Sequence, residues 1–306
     1  MVTAFIVLVF RRWLSERRAV ERKAMQTLIT RSYIQRISGA RCENRGTRLP
    51  RSLRLAVVTN LLLLLRGGER EQLMRLAELD GLLDMSLRLS HSWRGARRID
   101  AIRVLQLAGS TACIARLHSM MSSDRSLDVR LNAAFALASL RQLPVPRETI
   151  ELLGIFKRTP SRLDVAVLRA SAPDYAQHLN RILGDAMPHK WRAMIIDALG
   201  WSDDISILPV LERAASVDNA EMRCAALRGA AQLGHPAAAP WVIALLDDPS
   251  EIVRIQAANS AGALRLQAAA PRLVEMMHDE DIWVRLRAGE ALQTIALPPA
   301  ADERAA

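Results

Sequence analysis

The chain has 306 residues, half of them hydrophobic, with 42 Lys or Arg against 32 Asp or Glu and a formal charge of +10. Residues 1–54 hold 13 basic and three acidic residues, a balance of +10, whereas residues 55–306 hold 29 of each and are neutral. A neutral body excludes an extended phosphate-binding face, because neutralising a nucleic-acid backbone needs a basic one, so nucleic acid is not an expected partner. Three widely spaced cysteines, Cys42, Cys113 and Cys224, offer neither a disulfide framework nor metal-ligand spacing and fit a reducing compartment.

Residues 1–38 read as an apolar stub and a polybasic arm. Met1 to Phe10 is apolar except for Thr3, and Arg11, Arg12, Trp13, Arg17, Arg18, Arg22 and Lys23 follow. Such a stub makes about 15 Å of helix, half of a hydrocarbon core of about 30 Å, and does not span a bilayer by itself. Its charges follow the apolar run, the reverse of a secretory signal peptide. Three readings stay open. The stub is the second half of a transmembrane helix that starts upstream, an interfacial anchor held by apolar and basic residues together, or the hydrophobic start of a helix docked on the rest of the chain. The first two make the arm a membrane anchor, and arginines just past the apolar run then place the remainder in the cytoplasm.

Residues 39–51, with Gly39, Cys42, Asn44, Gly46 and Pro50, read as a linker, and residues 52–92 as an N-terminal helical capping region. The run Leu55 to Leu65, interrupted by Thr59 and Asn60, is too short to span a membrane and is expected to form a fully buried helix. Gly67-Gly68 is expected to close it, and Glu71 to Leu89 continues the helical pattern.

From residue 93 the chain becomes periodic. Arg130, Arg192, Arg223, Arg254 and Arg285 are separated by whole multiples of 31 residues, with Arg98 one residue out of phase, and Pro209, Pro240 and Pro271 repeat the same period. A fixed period of this length marks a solenoid, in which each repeat is one supersecondary unit stacked on its neighbours. Apolar residues recur three, seven and ten after the arginines, as in Ala226, Ala230 and Leu233 or Ala257, Ala261 and Leu264, on one stripe of a helix. A preceding helix opens at the periodic proline, whose missing N–H suits a first turn. It carries Leu211, Val242 and Leu273 two residues on and ends at Asp218, Asp247, Asp248, Pro249 and Asp279. Two helices and two turns fill each period, giving six or seven repeats over 93–296. Ser161 falls where an arginine is due, so the stretch with Pro144, Pro146, Pro160, Pro173 and Pro188 is a degenerate part of the same array. An arginine near a helix start opposes the helix dipole and needs acidic company. Asp128, Glu221, Glu251 and Asp281, two to four residues before it, are the expected partners, and the arginines read as structural. Residues 297–306, opening near Pro298-Pro299, are expected to be a disordered tail.

The pattern resembles the HEAT-repeat families, in particular the short bacterial type also found in phycobilin-lyase-like proteins. The residues that carry it are Leu245-Leu246-Asp247-Asp248-Pro249 through Val253-Arg254 to Ala257-Ala258, with Ala261 and Leu264. Asp128-Val129-Arg130-Leu131-Asn132-Ala133-Ala134 and Trp283-Val284-Arg285-Leu286-Arg287-Ala288 match as well. The resemblance covers roughly 93–296 and implies an all-α superhelix, a HEAT-like solenoid in which the arginine ties neighbouring repeats together. It further implies a membrane-anchored, non-catalytic scaffold for protein partners, accessory to a membrane enzyme such as a glycosyltransferase. A phycobilin-lyase-like accessory lyase or isomerase is the alternative, and a HEAT-like DNA glycosylase a remote one.

No nucleotide fingerprint, phosphate loop, nucleophile elbow or Cys-x-x-Cys appears, so no catalytic, cofactor or metal residues are expected. The metal-binding His-Glu pairs of HEAT-like deoxyhypusine hydroxylases are missing: the residues after the six histidines are Ser92, Ser119, Leu179, Lys190, Pro236 and Asp279. His278-Asp279-Glu280-Asp281 reads as a solvated turn, not a metal site. Trp93, Trp191 and Trp283 read as packing between repeats, with exposed partner-binding aromatics as the alternative, and Arg287, Glu290 and Gln293 as the polar cap of the last helix.

Overall fold

The computed structural model describes residues 2–39 and 49–296, with side chains from residue 12 onward except 13–16 and 18. All regular structure among these residues is helical: sixteen α-helices and short 3-10 turns. The chain divides into two compact units, one of residues 1–120 with 124–129, the other of residues 121–123 with 130–306.

The first unit is built on α1 (Val2–Ile37), α2 (Arg51–Leu64), α3 (Gly67–Leu79), α4 (Leu82–Leu89), α5 (Gly95–Ala108) and most of α6 (Thr111–Ser123). Among the described side chains of α1, those that enter its core lie in the second half of the helix. Ile29 and Tyr33 are buried with Val57, Val58, Leu61 and Leu62 of α2, Leu73 and Ala77 of α3 and Leu82 of α4. Beside them Asp80, in the turn after α3, accepts the Tyr33 hydroxyl at 2.5 Å and both terminal nitrogens of Arg36 at 2.8 and 3.2 Å, with Arg54 3.4 Å away. Burial alone would raise the Asp80 pKa, but hydrogen bonds from Arg36 and Tyr33 and the two arginine charges hold it below the usual carboxylate range. Burial pushes the Tyr33 phenol up, and its bond to Asp80 pushes it further. Residues 29–36 of the arm are thus integral to this unit, while its described side chains from Ala19 to Ala24 are exposed. The linker lies mostly outside the described residues, and the tail wholly so.

Two local expectations need correction. α2 is amphipathic and not fully buried, since Leu63 and Leu64 in its last turn lie beyond the packed face and are 69% and 76% exposed. Gly67-Gly68 opens α3 and does not close α2. Gly67 adopts φ +58°, a conformation that side chains resist, which lets the chain reverse direction there.

The second unit holds α7 (Leu127–Ser139, most of it), α8 (Pro146–Leu153), α9 (Arg162–Ile182), α10 (His189–Leu199), α11 (Leu208–Ala215), α12 (Ala220–Leu233), α13 (Ala239–Ala244), α14 (Glu251–Ala263), α15 (Ala270–Met276) and α16 (Ile282–Ala296). Pro209, Pro240 and Pro271 are the second residues of α11, α13 and α15, where no intrahelical N–H bond is lost. Each follows a 3-10 turn and pairs with the next, longer helix. Arg192, Arg223, Arg254 and Arg285 are each the fourth residue of α10, α12, α14 and α16, as Arg98 and Arg130 are of α5 and α7. Apolar stripes of these pairs merge into one core that includes Leu227, Val242, Leu246, Val253, Leu273 and Val284, all fully buried.

The degenerate stretch keeps count by a shift of four residues. Ser161 is the N-cap of α9, its hydroxyl accepting from Asp164 N while Asp164 accepts from Ser161 N at 2.8 Å. Helix α9 therefore begins four residues later than the period sets. It regains phase by running straight into the first helix of the next pair, with a kink at Tyr175 (φ −132°, ψ 24°) two residues after Pro173.

Backbones approach closely along the longer helices. A Cβ on Gly200 would lie 2.4 Å from the Cα and carbonyl oxygen of Gly229, and one on Gly262 would lie 3.1 Å from Ala291 Cα. Small residues at these crossings are a requirement of the packing, which the alanine-rich composition of α12 and α14 serves.

Candidate functional site

The arginines form a chain of staples. Arg223 donates Nε and Nη2 to the two carboxylate oxygens of Asp248 at 2.7 and 2.9 Å, and Arg254 does the same to Asp279 at 2.9 Å each. In the first unit Arg98 grips Asp124 at 2.8 and 2.9 Å. The remaining nitrogen, Nη1, turns back to carbonyls in the turn before the arginine's own helix. Arg223 reaches Val217 O at 3.0 Å, Arg254 reaches Asp248 O at 3.0 Å, and Arg285 reaches Asp279 O at 2.8 Å. One aspartate thus serves two repeats, its carboxylate holding the arginine before it and its carbonyl the arginine after it. Oδ1 of each also accepts the N–H two residues on, at Ser126, Ser250 and Asp281.

For Arg223 and Arg254 the hydrogen-bonded acidic partner is therefore not the neighbouring Glu221 or Glu251. Glu221 and Glu251 are exposed, and Asp281 caps α16 by accepting from Trp283 N and Val284 N. A guanidinium on the fourth helical residue extends across the turn towards the following helix pair, where the aspartate 25 or 26 residues on awaits it. Arg254 has its pKa raised chiefly by the Asp279 hydrogen bond, with Glu251 and Asp281 acting only at longer range. Asp279 is not a solvated turn residue: burial would raise its pKa, but the Arg254 bond keeps it low. The signal was present in the sequence, because Asp124, Asp248 and Asp279 share one 31-residue phase.

Among the described residues Arg285 holds only carbonyls, and for Arg130 and Arg192 the position of the aspartate is taken by another residue. Ile155 and Val217 stand 25 residues after Arg130 and Arg192. Arg130 gives Nε to Met121 O at 3.2 Å, and Arg192 gives Nη2 to Asp185 O at 3.1 Å while its buried Nε has no acceptor.

A second set of charges lies on the longer helices one turn further along. Asp197 on α10, 5% exposed, accepts Nε of Arg169 from α9 and Nε of Arg228 from α12, each at 2.8 Å. The Arg169 guanidinium lies over the Trp201 ring at 5.1 Å from its centroid.

The tryptophans divide. Trp191 is buried, donates Nε1–H to Arg158 O at 2.9 Å and meets Phe156 edge-on. Trp93 and Trp283 do not pack between repeats, being 72% and 58% exposed. Of the proposed cap, Arg287 pairs with Glu290, Gln293 is exposed, and Leu286 beside them is half-exposed. In the arm Arg12, Arg17, Arg22 and Lys23 are exposed, while the side chains of Arg11, Trp13 and Arg18 lie outside the described set. No helix among the described residues is long and apolar enough to cross a membrane, and no group of His, Cys, Asp and Glu among them is placed to hold a metal ion.

A family model described as HEAT repeats matches residues 207–293. Comparison with curated proteins gives no match. Among solved structures, human deoxyhypusine hydroxylase aligns at 17% identity over 90% of this chain and 98% of its own, with a TM-score of 0.36. Escherichia coli YibA aligns at 20% identity over 78% of this chain and 73% of its own, also at 0.36. An engineered protein aligns at 15% identity over 89% and 78%, again at 0.36. With helix pairs that open on a periodic proline and are joined by a recurring arginine–aspartate staple, the chain is an all-α helical solenoid whose residues 207–293 match HEAT repeats.

Proposed function

We propose that the protein is a non-catalytic scaffold that binds protein partners through its helix pairs and is held at the cytoplasmic face of a membrane by its N-terminal arm. The observation that carries the scaffold reading is an exposed apolar row on a rigid frame. Ile252 and Trp283, each two residues before a periodic arginine on neighbouring helices, are 60% and 58% exposed, and Ile282 next to Trp283 is 63% exposed. Large apolar side chains exposed at equivalent positions of successive repeats support a contact site for another macromolecule. The staples fix the frame, so a partner meets a surface already ordered.

The tether rests on different features. The entire charge excess lies in residues 1–54, next to the apolar stub, and Arg12, Arg17, Arg22 and Lys23 point to solvent from α1. Apolar contact plus about 1 kcal/mol per basic residue near an anionic surface is enough for interfacial attachment. A membrane enzyme, of which a glycosyltransferase is one class, is the partner such a tethered scaffold would serve. Sedimentation of the full chain with vesicles tests the tether. Vesicles with a quarter anionic lipid should carry it down, and neutral ones should not. A chain that stays in the supernatant with both has no such tether.

A further inference from the structure

We infer that Arg169 and Arg228, set on either side of Asp197 and backed by Trp201, form a docking site for an acidic peptide segment of the partner. This inference rests on the scaffold reading and names the chemistry of what is bound. Both carboxylate oxygens of Asp197 are taken, one by each Nε. Each guanidinium therefore uses one of its donors, and among the described residues neither Nη1 nor Nη2 of either arginine has an acceptor. These end-on edges are the ones that pair with a carboxylate in a planar two-point grip. Asp197 is 5% exposed while Arg169 and Arg228 are 35% and 40% exposed, so the negative charge is sunk and two positive edges face out. The cluster carries a net charge of +1. Its geometry is fixed from below by the shared carboxylate and, for Arg169, by the Trp201 ring, itself 38% exposed.

The setting selects among anions. Residues 55–306 are neutral overall, so a polyphosphate backbone finds two cations here and no basic track to follow. An extended peptide matches better: side chains two residues apart project on one side about 7 Å from each other, and two such carboxylates can each take one fork. Trp201 adds an apolar plane for the peptide's intervening residues.

The test uses the full chain and a fluorescein-labelled octapeptide of alternating Glu and Ser, with a Gln/Ser peptide and a single-stranded oligonucleotide as comparisons, read by anisotropy. The Glu peptide should bind and the Gln peptide should bind at least about tenfold more weakly, the equivalent of one charge-assisted contact. Arg169→Gln and Arg228→Gln should each weaken Glu-peptide binding about five- to tenfold. Asp197→Asn removes the internal competitor and should strengthen it, a change of opposite sign that mere loss of structure does not produce. Melting curves on each variant separate folding from binding, and Arg228→Gln, the more exposed of the two arginines, keeps the test open should Asp197→Asn unfold. Equal binding of Glu and Gln peptides, variants that bind like the parent, or an oligonucleotide that outcompetes the peptide and is itself insensitive to both arginines, overturns the inference. Binding by the basic arm alone would appear as the second of these. The scaffold reading is judged separately, by whether partners are retained at all.

Discussion

Arg192 is a staple with its aspartate missing, and supplying one should stabilise the second unit. Val217 stands where Asp248 and Asp279 stand in the following repeats, and its backbone is already in place. Its carbonyl accepts Nη1 of Arg223 at 3.0 Å, as Asp248 O accepts Nη1 of Arg254 at 3.0 Å. Val217 is 42% exposed, so little apolar burial is lost in Val217→Asp, and the buried Arg192 Nε gains an acceptor. The existing pairs set the scale. Arg254 and Asp279 are 18% and 12% exposed in their side chains, and truncating one with Arg254→Ala should cost about 1–3 kcal/mol. A new pair must also order an aspartate and is partly screened, so the expected gain is about 1 kcal/mol, or about 2–4 °C in the midpoint of a unit of this size. Thermal unfolding followed by circular dichroism measures it, and a cycle with Arg192→Ala isolates it. Val217→Asp should lose its benefit in the Arg192→Ala background, with a coupling of about 1 kcal/mol. An equal gain with and without Arg192, or a loss in both, would refute the staple as the cause.

Three further outcomes follow from particular contacts. Gly200→Ala puts a Cβ 2.4 Å from the backbone of Gly229, so α10 and α12 must part, and the urea midpoint should fall by the equivalent of about 1–3 kcal/mol; an unchanged midpoint would deny the close crossing. Deleting residues 1–24 should leave melting of the first unit intact, whereas deletion through residue 38 removes Ile29 and Tyr33 from its core and Arg36 from Asp80 and should lower it clearly. Equal melting of the two truncations would show that α1 contributes nothing to that core. Asp80, Asp164 and Asp279 all have folded pKa values below the ordinary carboxylate value. Their contribution is therefore complete above the unfolded pKa of about 4 and is lost as pH falls through the folded values. Stability should be flat from pH 7 to 5 and drop below about 4, and Asp80→Asn should flatten that acid limb for the first unit.

The period made the fold legible. A 31-residue spacing of arginines and prolines, with apolar residues three and seven after each arginine and ten after most, is a local signal that survives without any tertiary information, and α7, α10, α12, α14 and α16 fall where it puts them. Pairing between repeats was harder to read because the arginine and its aspartate are 25 or 26 residues apart, and nearer acids such as Glu221 and Glu251 offer a cheaper local explanation. The same held at α9, where a capping box from Ser161 to Asp164 overrode the period and moved the helix start by four residues. Asp80 gave no warning in the sequence at all. It gathers Tyr33, Arg36 and Arg54 from two other helices, and no spacing links them. The Asp197 cluster escaped for a related reason: its residues share a row only once α9, α10 and α12 lie side by side, and Arg169 is displaced from the phase that relates Asp197 to Arg228.

The scaffold reading is tested most directly by capture of the tagged full-length chain from detergent-solubilised membranes, with the proteins retained quantified against it. The chain should be recovered from the membrane fraction with a protein partner in near-equal amount, and Arg254→Ala, which loosens a staple, should retain that partner at temperatures where the variant is folded. A chain recovered alone, from the aqueous fraction, or one whose partner is lost on Arg254→Ala without any change in melting, would contradict it.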